Sequence, residues 1–339
     1  MKSSNIGGQA VLEGIMMKNG DRYAVGVRKP DKEIEVSVQE YKSIIPSKKI
    51  KKIPFVRGVF SFVDSLVLGM KTLTYSAEFY EEETEVKELT EEEIEKEKKK
   101  EQMIMNITMA FSVVLAIGIF MVLPYILSGF LKKVITSRIL LTVLEGVIRL
   151  LIFFSYIVLI SRMEDIQRTF MYHGAEHKCI NCIEHGLELT VENVRKSSRQ
   201  HKRCGTSFLF FVMIVSIIFC FLITAESQFM KVLIRILLMP VIAGVSFEII
   251  RLAGSSNNPI INFLSKPGLM VQNMTTKEPD DSMIEVAIKA VEAVFDWRAY
   301  LNDNYGTSYE KVAETACAEN NYAIPETKMS EAEMGEVTQ

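Results

Sequence analysis

The distribution of charge along the chain predicts membrane-spanning helices. The 30 residues 102–131 and the 22 residues 204–225 contain no Asp, Glu, Lys, Arg or His. A helix that crosses the hydrocarbon core of a bilayer needs about 20 apolar residues, so each run is long enough for one span. Two further apolar segments, 139–161 and 232–250, each carry one Glu and one Arg and follow an uncharged run after a short connection. We therefore expect four spans, which return the chain to the side on which it starts.

The Lys and Arg residues that flank these segments predict their orientation. Fifteen lie on one side, four within 96–100, eight within 162–203 and three within 251–277, whereas four lie on the other side, within 132–138 and at 231. Basic residues accumulate on the cytoplasmic side of membrane proteins. Both termini and the loop at 162–203 are therefore expected in the cytoplasm. Residues 1–19 lack the basic and apolar regions of a signal peptide, so the first span is expected to direct insertion.

Outside the apolar runs, shorter patterns predict a hairpin and two amphipathic helices. Residues 23–28 and 33–38 are β-prone and are joined by a turn at 29–32. Apolar residues recur at helical spacing in 53–73 and in 283–299, with polar residues on a second face. The first of these helices is expected either to lie in the membrane interface and pack on the spans, or to be a core helix of a cytoplasmic domain.

Glycine and proline mark further segments. Gly7, Gly8 and Gly14 make the start of the chain flexible, or bring its backbone close to a neighbour. For the pair Gly7-Gly8, a plain turn is favoured over a phosphate-binding loop. The Asn, Gly and Pro residues of 254–281 predict a loop.

These patterns predict a mainly α protein: a four-span transmembrane helical bundle with a mixed α/β cytoplasmic layer. The layer is expected to combine the N-terminal hairpin, the middle loop and the C-terminal helix. In chain order, the expected segments are an N-terminal cytoplasmic segment with the hairpin and an amphipathic helix (1–75), a Glu-rich charged linker (76–101), spans one and two (102–161), the cytoplasmic loop (162–203), spans three and four (204–252), a C-terminal cytoplasmic segment with an amphipathic helix (253–305) and a flexible tail (306–339).

Composition excludes some classes of function. The net charge is −3, from 39 basic and 42 acidic residues, so the chain lacks the global positive field that indicates a nucleic-acid partner. Five cysteines in 339 residues are too few for a disulfide scaffold. Cysteines in a cytoplasmic loop stay reduced and are able to bind metal.

The middle loop carries the candidate chemistry. All four histidines of the chain and three of its five cysteines lie between residues 173 and 204. His173 and His177 are four residues apart, so on a helix their imidazoles share one face. Glu176 completes the order H-x-x-E-H of inverted zincins, in which the histidines bind zinc and the glutamate is the general base. His201 and Cys204 follow, and they supply the third and fourth ligands of a tetrahedral zinc site.

Three interpretations of this cluster compete. In the first, two or three of His173, His177, His201 and Cys204 hold zinc with one open position, and Glu176 takes a proton from water that attacks an acyl or phosphoryl centre. In the second, all four residues bind zinc in a closed structural site. In the third, the residues are polar groups at the membrane surface and bind no metal.

Four other residues of the loop are weaker candidates. Cys179 and Cys182 form a C-x-x-C pair that could add ligands or act in redox chemistry, but no βαβ pattern surrounds it as in thioredoxins. Glu184 and His185 are spare candidates for the same site.

Two spans contain charged residues, which are costly inside a membrane unless they are paired. Glu145 and Arg149 are four residues apart, and Glu248 and Arg251 are three apart. Each pair is expected to neutralise itself within its own helix, to lie near the membrane interface, or to face the interior or a wet cavity of the bundle.

Several motifs together resemble one family. They are GGQAVLEGIMMK (7–18), PFVRG (54–58), YHGAEHK (172–178), HKRCGT (201–206), FEIIRLAG (247–254) and PGLMVQNMTTKEPDDSMIEVAI (267–288). In these segments the chain resembles the bacterial YqhQ-like family of multi-span membrane proteins, which are labelled predicted metal-dependent enzymes. The resemblance implies a membrane location and a metal, but no particular reaction. Carried over by motif, the candidate site comprises Glu13, Arg57, His173, Glu176, His177, His201 and Cys204. Cys179 and Cys182 do not belong to the shared pattern.

The favoured hypothesis is a membrane-embedded, metal-dependent enzyme, most simply a zinc-dependent hydrolase with its H-x-x-E-H site on the cytoplasmic face. The alternatives are a non-enzymatic membrane scaffold or assembly factor with a structural zinc, and a transporter that uses the intramembrane Glu and Arg pairs. The expected partners are the lipid bilayer and a substrate or protein that the sequence does not identify. The sequence gives no indication of oligomeric state.

Overall fold

The computed structural model describes residues 2–43, 53–80, 91–223, 227–255 and 258–309. Within them, four helices are long and apolar enough to cross a membrane: Met103–Leu131, Arg138–Ile160, Gly205–Leu222 and Phe229–Gly254. Each corresponds to a predicted span, so the prediction of a mainly α, four-span protein is confirmed. Large apolar side chains such as Phe111, Val114 and Phe229 remain exposed on these helices. This is the pattern of a surface that faces lipid, and the four helices indicate a membrane protein.

The first span is interrupted by a change of helix type. Helix α2 (Glu91–Ile117) continues through a π-helical turn (Gly118–Val122) into α3 (Leu123–Leu131). Pro124 lies in the first turn of α3, and proline has no N–H to donate to the preceding turn. The wider π turn directly before it accommodates this missing hydrogen bond. The other spans are α4 (Arg138–Ile160), α7 (Gly205–Leu222) and α8 (Gln228–Ser255). Of the predicted charged linker, residues 81–90 lie outside the described residues.

Four strands near the N-terminus form an antiparallel sheet in the order β1-β2-β3-β4. They are β1 (Gly7–Val11), β2 (Gly14–Asn19), β3 (Arg22–Arg28) and β4 (Ile34–Glu40). The predicted hairpin is confirmed as β3 and β4. The turn predicted at Gly7-Gly8 is wrong, because both residues belong to β1. A Cβ atom on Gly14 would lie 2.2 Å from the carbonyl oxygen of Gly26, so this glycine permits a close backbone approach.

The sheet lies between α1 on one face and two helices on the other: α1 (Val56–Glu78), α5 (Glu164–Glu184) and α10 (Asp281–Val294). Side chains alternate between the two faces of a strand. Val25 of β3 therefore packs in the core that contains Leu68 and Tyr75 of α1. The neighbouring Gly26 faces α10, where an added Cβ atom would lie 3.2 Å from Cβ of Ala290. This three-layer arrangement is the mixed α/β part of the fold.

Helix α1 joins the three-layer part to the spans. Near its start, an added Cβ atom on Gly58 would lie 2.7 Å from Cβ of Phe247 in α8. Nearer its end, an added Cβ atom on Gly69 would lie 2.5 Å from the side chain of Gln9 in β1. Part of each alternative is therefore confirmed, since one end of α1 packs on a span and the other end belongs to the core under the sheet.

The segment predicted as a loop at 254–281 is largely helical, and that prediction is wrong. It contains α9 (Pro259–Thr275). Proline suits the first turn of a helix, because its missing N–H would have no partner there. Asn258 caps the same end, its Oδ1 accepting a hydrogen bond of 2.9 Å from the backbone N–H of Ile260. The Asn-Pro pair that resembles a turn in the sequence is thus a helix start.

The C-terminal helix predicted at 283–299 is two helices, α10 and α11 (Trp297–Tyr305). The chain breaks between them because Asp296 is an N-cap, accepting a hydrogen bond of 2.9 Å from the backbone N–H of Ala299. The middle loop also contains a short helix, α6 (Val191–Lys196). Of the predicted flexible tail, residues 310–339 lie outside the described residues.

Candidate metal centre

Helix α5 places two imidazoles one turn apart, as the sequence predicts. Nδ1 of His173 lies 2.9 Å from the carbonyl oxygen of Thr275, at the end of α9. Nδ1 of His177 lies 2.6 Å from the carbonyl oxygen of Arg199. A carbonyl oxygen only accepts hydrogen bonds, so both contacts assign the ring proton to Nδ1. In a neutral ring this leaves Nε2 as the electron-pair donor, which is the arrangement of a histidine that binds metal. In His173 a metal would displace the second ring proton, which lies between Nε2 and the sulfur of Cys204.

Cys204 completes a three-residue group. Its side chain is the N-cap of α7, where Sγ accepts a hydrogen bond from the backbone N–H of Thr206. Sγ also lies 3.2 Å from Nε2 of His173. One potential ligand atom from each of His173, His177 and Cys204 lies within 4.8 Å of the other two. Ligand atoms on a single zinc ion are separated by about 4 Å or less, so these three groups are near the spacing of a metal site.

The electrostatics of the group favour a thiolate. Burial alone would raise the pKa of the Cys204 thiol, but the neighbouring His173 and His177 lower it well below its ordinary value. Burial likewise opposes the charged form of His173, but the adjacent Cys204 raises the pKa of this imidazole to about 9. A thiolate and imidazole nitrogens are the donors that zinc prefers. The residues present therefore fit the metal that the sequence predicts.

Glu176 lies beside this group in a small cavity. The residue is 5% exposed. It lines a cavity of about 100 Å³ together with His173, His177, His201 and Cys204. Strand β1 forms another wall, where an added Cβ atom on Gly8 would lie 2.9 Å from Cγ of Glu176. Gly8 therefore lets the strand approach the carboxylate side chain closely.

His201 lines the cavity but is not brought into the three-residue group. Its backbone is held by Gln272, which accepts from the N–H and donates to the carbonyl oxygen, both at 2.8 Å. Its Nε2 lies 3.5 Å from Oε2 of the buried Glu184, without the alignment of a hydrogen bond. Burial lowers the pKa of His201 despite this carboxylate. The fourth-ligand role of His201 stays a prediction.

The weaker candidates of the loop have other environments. Cys179 and Cys182 are fully buried in the core between α5, α10 and the sheet. Burial raises the pKa of both thiols, which disfavours the thiolate that binds metal. Glu184 is fully buried and accepts hydrogen bonds from the backbone N–H and the hydroxyl of Ser4.

The candidates outside the middle loop lie in separate clusters. Glu13, in the turn between β1 and β2, pairs with Arg168 of α5. Arg57 of α1 binds Glu248 of α8 through Nε, 2.7 Å from Oε1, and Arg251 lies 3.7 Å from the same carboxylate. None of these side chains is brought to the three-residue group within the described part of the chain. Glu13 and Arg168 join the sheet to α5, whereas Arg57 and Glu248 join α1 to a span.

Glu145 and Arg149 pair within α4, with Nη2 of Arg149 3.1 Å from Oε1. The pair is not self-contained, because Arg235 of α8 donates to the same carboxylate at 2.9 Å. The charges of α4 are therefore not isolated within one helix, because a third charged side chain joins them from α8.

Sequence reasoning missed the residues that orient the ligands. The backbone carbonyl groups of Thr275 and Arg199 bind the two Nδ1 atoms, and Gln272 positions His201. Every residue has a backbone carbonyl group, so the residue types give no indication of these two contacts. The segment 267–288 is one of the motifs that carry the family resemblance, and it contains both Gln272 and Thr275. That motif was the available signal.

Comparison with known proteins agrees with the resemblance. The profile of the family DUF1385, described as "Protein of unknown function", matches residues 53–297. A protein of Bacillus subtilis (strain 168), named "Uncharacterized protein YqhQ", is 34% identical over 311 residues, which cover 90% of this chain and 97% of that protein. No solved structure matches the chain at a significant level. Because the family profile covers well over half of the chain, this protein belongs to the DUF1385 family.

Proposed function

We propose that this protein is a zinc-dependent hydrolase of the membrane surface. His173, His177 and Cys204 hold the metal, and Glu176 is the general base. The observation that carries the proposal is the convergence of two Nε2 atoms and one thiol on a cavity that Glu176 also lines. An H-x-x-E-H order places a carboxylate where a closed structural site has no use for it.

Three protein ligands favour a catalytic site over a structural one. Structural zinc sites are closed by four protein ligands, whereas catalytic sites keep one position open. His201, the candidate for closing the site, is held by Gln272 and stands beside Glu184 instead. This arrangement supports an open fourth position and argues against a scaffold with a saturated metal.

The residues of the cavity have separable tasks. A divalent ion held there supplies positive charge that acidifies water and polarises a carbonyl or phosphoryl oxygen. Glu176 accepts a proton from water in the cavity and returns it to the leaving group. The carbonyl groups of Thr275 and Arg199 fix the two imidazoles. A cavity of about 100 Å³ has room for a water and for the bond to be cleaved.

The test separates metal binding from proton transfer. Glu176→Gln should keep about one zinc per chain and fold normally, yet fail to complement a strain that lacks the gene. A general base typically contributes about 10²–10⁴-fold in rate. The double variant His173→Ala/His177→Ala should lose both metal and complementation. His185→Ala is the matched control, since this exposed histidine lies at the end of the same helix. A Glu176→Gln protein with full metal and full complementation would reject the hydrolase.

A second candidate function uses Cys204 as a nucleophile without metal. Cys204 caps the N-terminus of α7, and Nε2 of His173 lies 3.2 Å from its sulfur. A helix N-terminus and a neighbouring imidazole are the environment of reactive cysteines. In this case the wild-type protein should function without bound zinc, and Cys204→Asp, which keeps a metal-binding side chain but has no thiol, should abolish complementation. Complementation by that variant would favour the metal mechanism.

We also propose that the site faces the cytoplasm, as the distribution of basic residues indicates. Reporter fusions at residues 20, 190 and 320 should give cytoplasmic signals, and a fusion at residue 133 should give an exported one. An exported signal at residue 190 would reverse the orientation and place the candidate thiolate in an oxidising compartment.

A further inference from the structure

The membrane-spanning bundle contains a second cluster of charged side chains, far from the His/Cys group. Glu145 and Arg149 of α4 and Arg235 of α8 are at most 8% exposed. Arg149 donates to Glu145 at 3.1 Å and to Oγ of Ser216 in α7 at 2.6 Å. Ser216 lies twelve residues after Cys204 along α7, which corresponds to about 18 Å of helix. The two clusters are therefore separate sites.

The cluster is not neutral. Two guanidinium groups share one carboxylate, with Nη2 of Arg235 2.9 Å from Oε2 of Glu145, so one positive charge is left over. Charged residues inside a membrane are costly unless they are paired. In the described segments 123–145, 216–223 and 227–235, Glu145 is the sole acidic residue. No other carboxylate of these segments balances the second arginine.

Donors in the cluster also lack acceptors. Nε of Arg149, Nε of Arg235 and the hydroxyl group of Tyr125 are buried without a hydrogen-bond partner among the described residues. The guanidinium carbon of Arg235 lies 4.8 Å from the centre of the Tyr125 ring. Since both arginines bind one carboxylate and Arg235 covers this ring, the unpaired donors surround one region of the bundle. Buried donors of this kind usually have an acceptor.

Further cations lead from the end of the bundle to this region. Nζ of Lys132, which follows α3, lies 5.5 Å from the centre of the same Tyr125 ring. Arg138 begins α4 and Lys231 lies in the first turns of α8, so both lie at this end. A cleft lined by one sign of charge attracts ligands of the opposite sign. The excess of positive charge favours an anion that carries more than one negative charge.

We propose that Arg149, Arg235 and Tyr125 bind a phosphate group between the spans, at the end of the bundle opposite the His/Cys group. Guanidinium groups match phosphate oxygens in geometry and bind them through paired N–H donors. The phosphate balances the second arginine and accepts hydrogen bonds from the buried donors. It comes either from a lipid headgroup or from free inorganic phosphate. The proposal does not depend on hydrolase activity.

The experiment measures binding of two probes to the purified full-length protein in a phosphate-free zwitterionic detergent. One probe is radiolabelled inorganic phosphate, and the other is phosphatidic acid, detected as a bound adduct by native mass spectrometry. Arg235→Gln removes the excess charge and leaves the Glu145–Arg149 pair. It should weaken binding at least tenfold, as expected for loss of a charge-assisted contact. Arg251→Gln is the matched control, because Arg251 lies in the same helix at its other end and its side chain is 57% exposed.

A subtler variant keeps the test valid if Arg235→Gln fails to fold. Tyr125→Phe keeps every charge and the ring beneath Arg235, and should weaken binding severalfold through loss of one hydroxyl group. Saturable binding of inorganic phosphate that both variants weaken identifies a soluble source. Binding of phosphatidic acid alone, weakened in the same way, identifies a lipid source. The proposal is overturned if neither probe binds to the wild-type protein. It is also overturned if the wild type and both variants bind the probes equally well.

Discussion

Replacing Glu184 by Gln should destabilise the three-layer part of the fold more than replacing any exposed glutamate would. Oε1 of this buried residue accepts from the backbone N–H of Ser4 at 2.7 Å and from its hydroxyl at 2.8 Å, and Arg203 binds the same oxygen. The carboxylate thus ties the start of the chain to α5 and to the segment before Cys204. Gln keeps the size of the side chain but removes its charge.

The magnitude follows from the pKa of this carboxyl. Burial alone would raise it, but the neighbouring His201, Ser4 and Arg203 lower it from 4.5 to about 2. Each pH unit corresponds to about 1.4 kcal/mol, so the ionised form is favoured in the folded protein by about 3 kcal/mol. Arg203 is partly exposed, with 22% of its side chain accessible, and water screens its share. We therefore expect Glu184→Gln to cost about 2–3 kcal/mol.

The same shift sets a pH dependence. Because the folded-state pKa lies below the unfolded value, the stabilisation is fully present above pH 4.5 and is lost as the pH falls toward 2. Wild type should lose stability over this interval, and Glu184→Gln should lose less. The variant mimics the protonated acid at every pH.

Trp297 reports on this part of the molecule. It is the only tryptophan of the chain, is 2% exposed and lies in the core between α5 and α10. Guanidinium unfolding in detergent, followed by the fluorescence of Trp297, gives the free energy of unfolding of the three-layer part. Glu192→Gln is the control, because this exposed side chain pairs with Lys196 at the surface. Equal midpoints for wild type and Glu184→Gln at pH 7 would refute the reasoning.

Two further substitutions test how the elements are joined. Gly174→Ala should reduce metal retention in detergent severalfold. The added Cβ atom would lie 2.1 Å from the carbonyl oxygen of Lys277 and would displace the segment that follows α9. Gly129→Ala is the control and should retain the metal, because Gly129 has open space around it. Arg57 and Glu248 form an ion pair. Arg57→Glu places two carboxylates together and should lower the thermal stability of the detergent-solubilised protein. The double variant Arg57→Glu/Glu248→Arg restores opposite charges and should recover part of that stability. Retained metal in the first case, or no rescue in the second, would contradict the corresponding contact.

The sequence predicts the spans well because their cause is local. A run of about 20 apolar residues crosses a bilayer as a helix whatever its neighbours are, since every backbone group must be satisfied within the segment. The sheet is harder to predict. The strands β1 and β2 contain Gly8 and Gly14, which favour turns in isolation. Strand β2 pairs with β3 at this point because Gly14 admits the carbonyl group of Gly26. That approach depends on tertiary packing, which the sequence does not display.

In the candidate site, too, the features set by local sequence are predictable and those set by tertiary contacts are not. The spacing of His173 and His177 on one helix is a local property, and their shared face follows from the helical period. Whether Cys204 or His201 joins them depends on contacts between distant segments. Cys204 is placed by capping α7, whereas His201 is held by Gln272, 71 residues away. In the sequence the two residues stand three positions apart and look equivalent.

The His/Cys group lies where the spans meet the three-layer part of the fold. Cys204 begins a span, and the Thr275 carbonyl that fixes His173 ends α9. Helix α9 exposes an apolar stripe that includes Ile260, Phe263 and Met270, each more than 60% exposed. A helix with such a stripe beside membrane spans lies in the interface between lipid and water. The candidate ligand group therefore lies close to the membrane surface, and it forms only when α5, α7 and α9 are docked together. Under the proposed function a substrate would be met at this surface, and metal retention would report whether the spans and the three-layer part of the fold have assembled correctly.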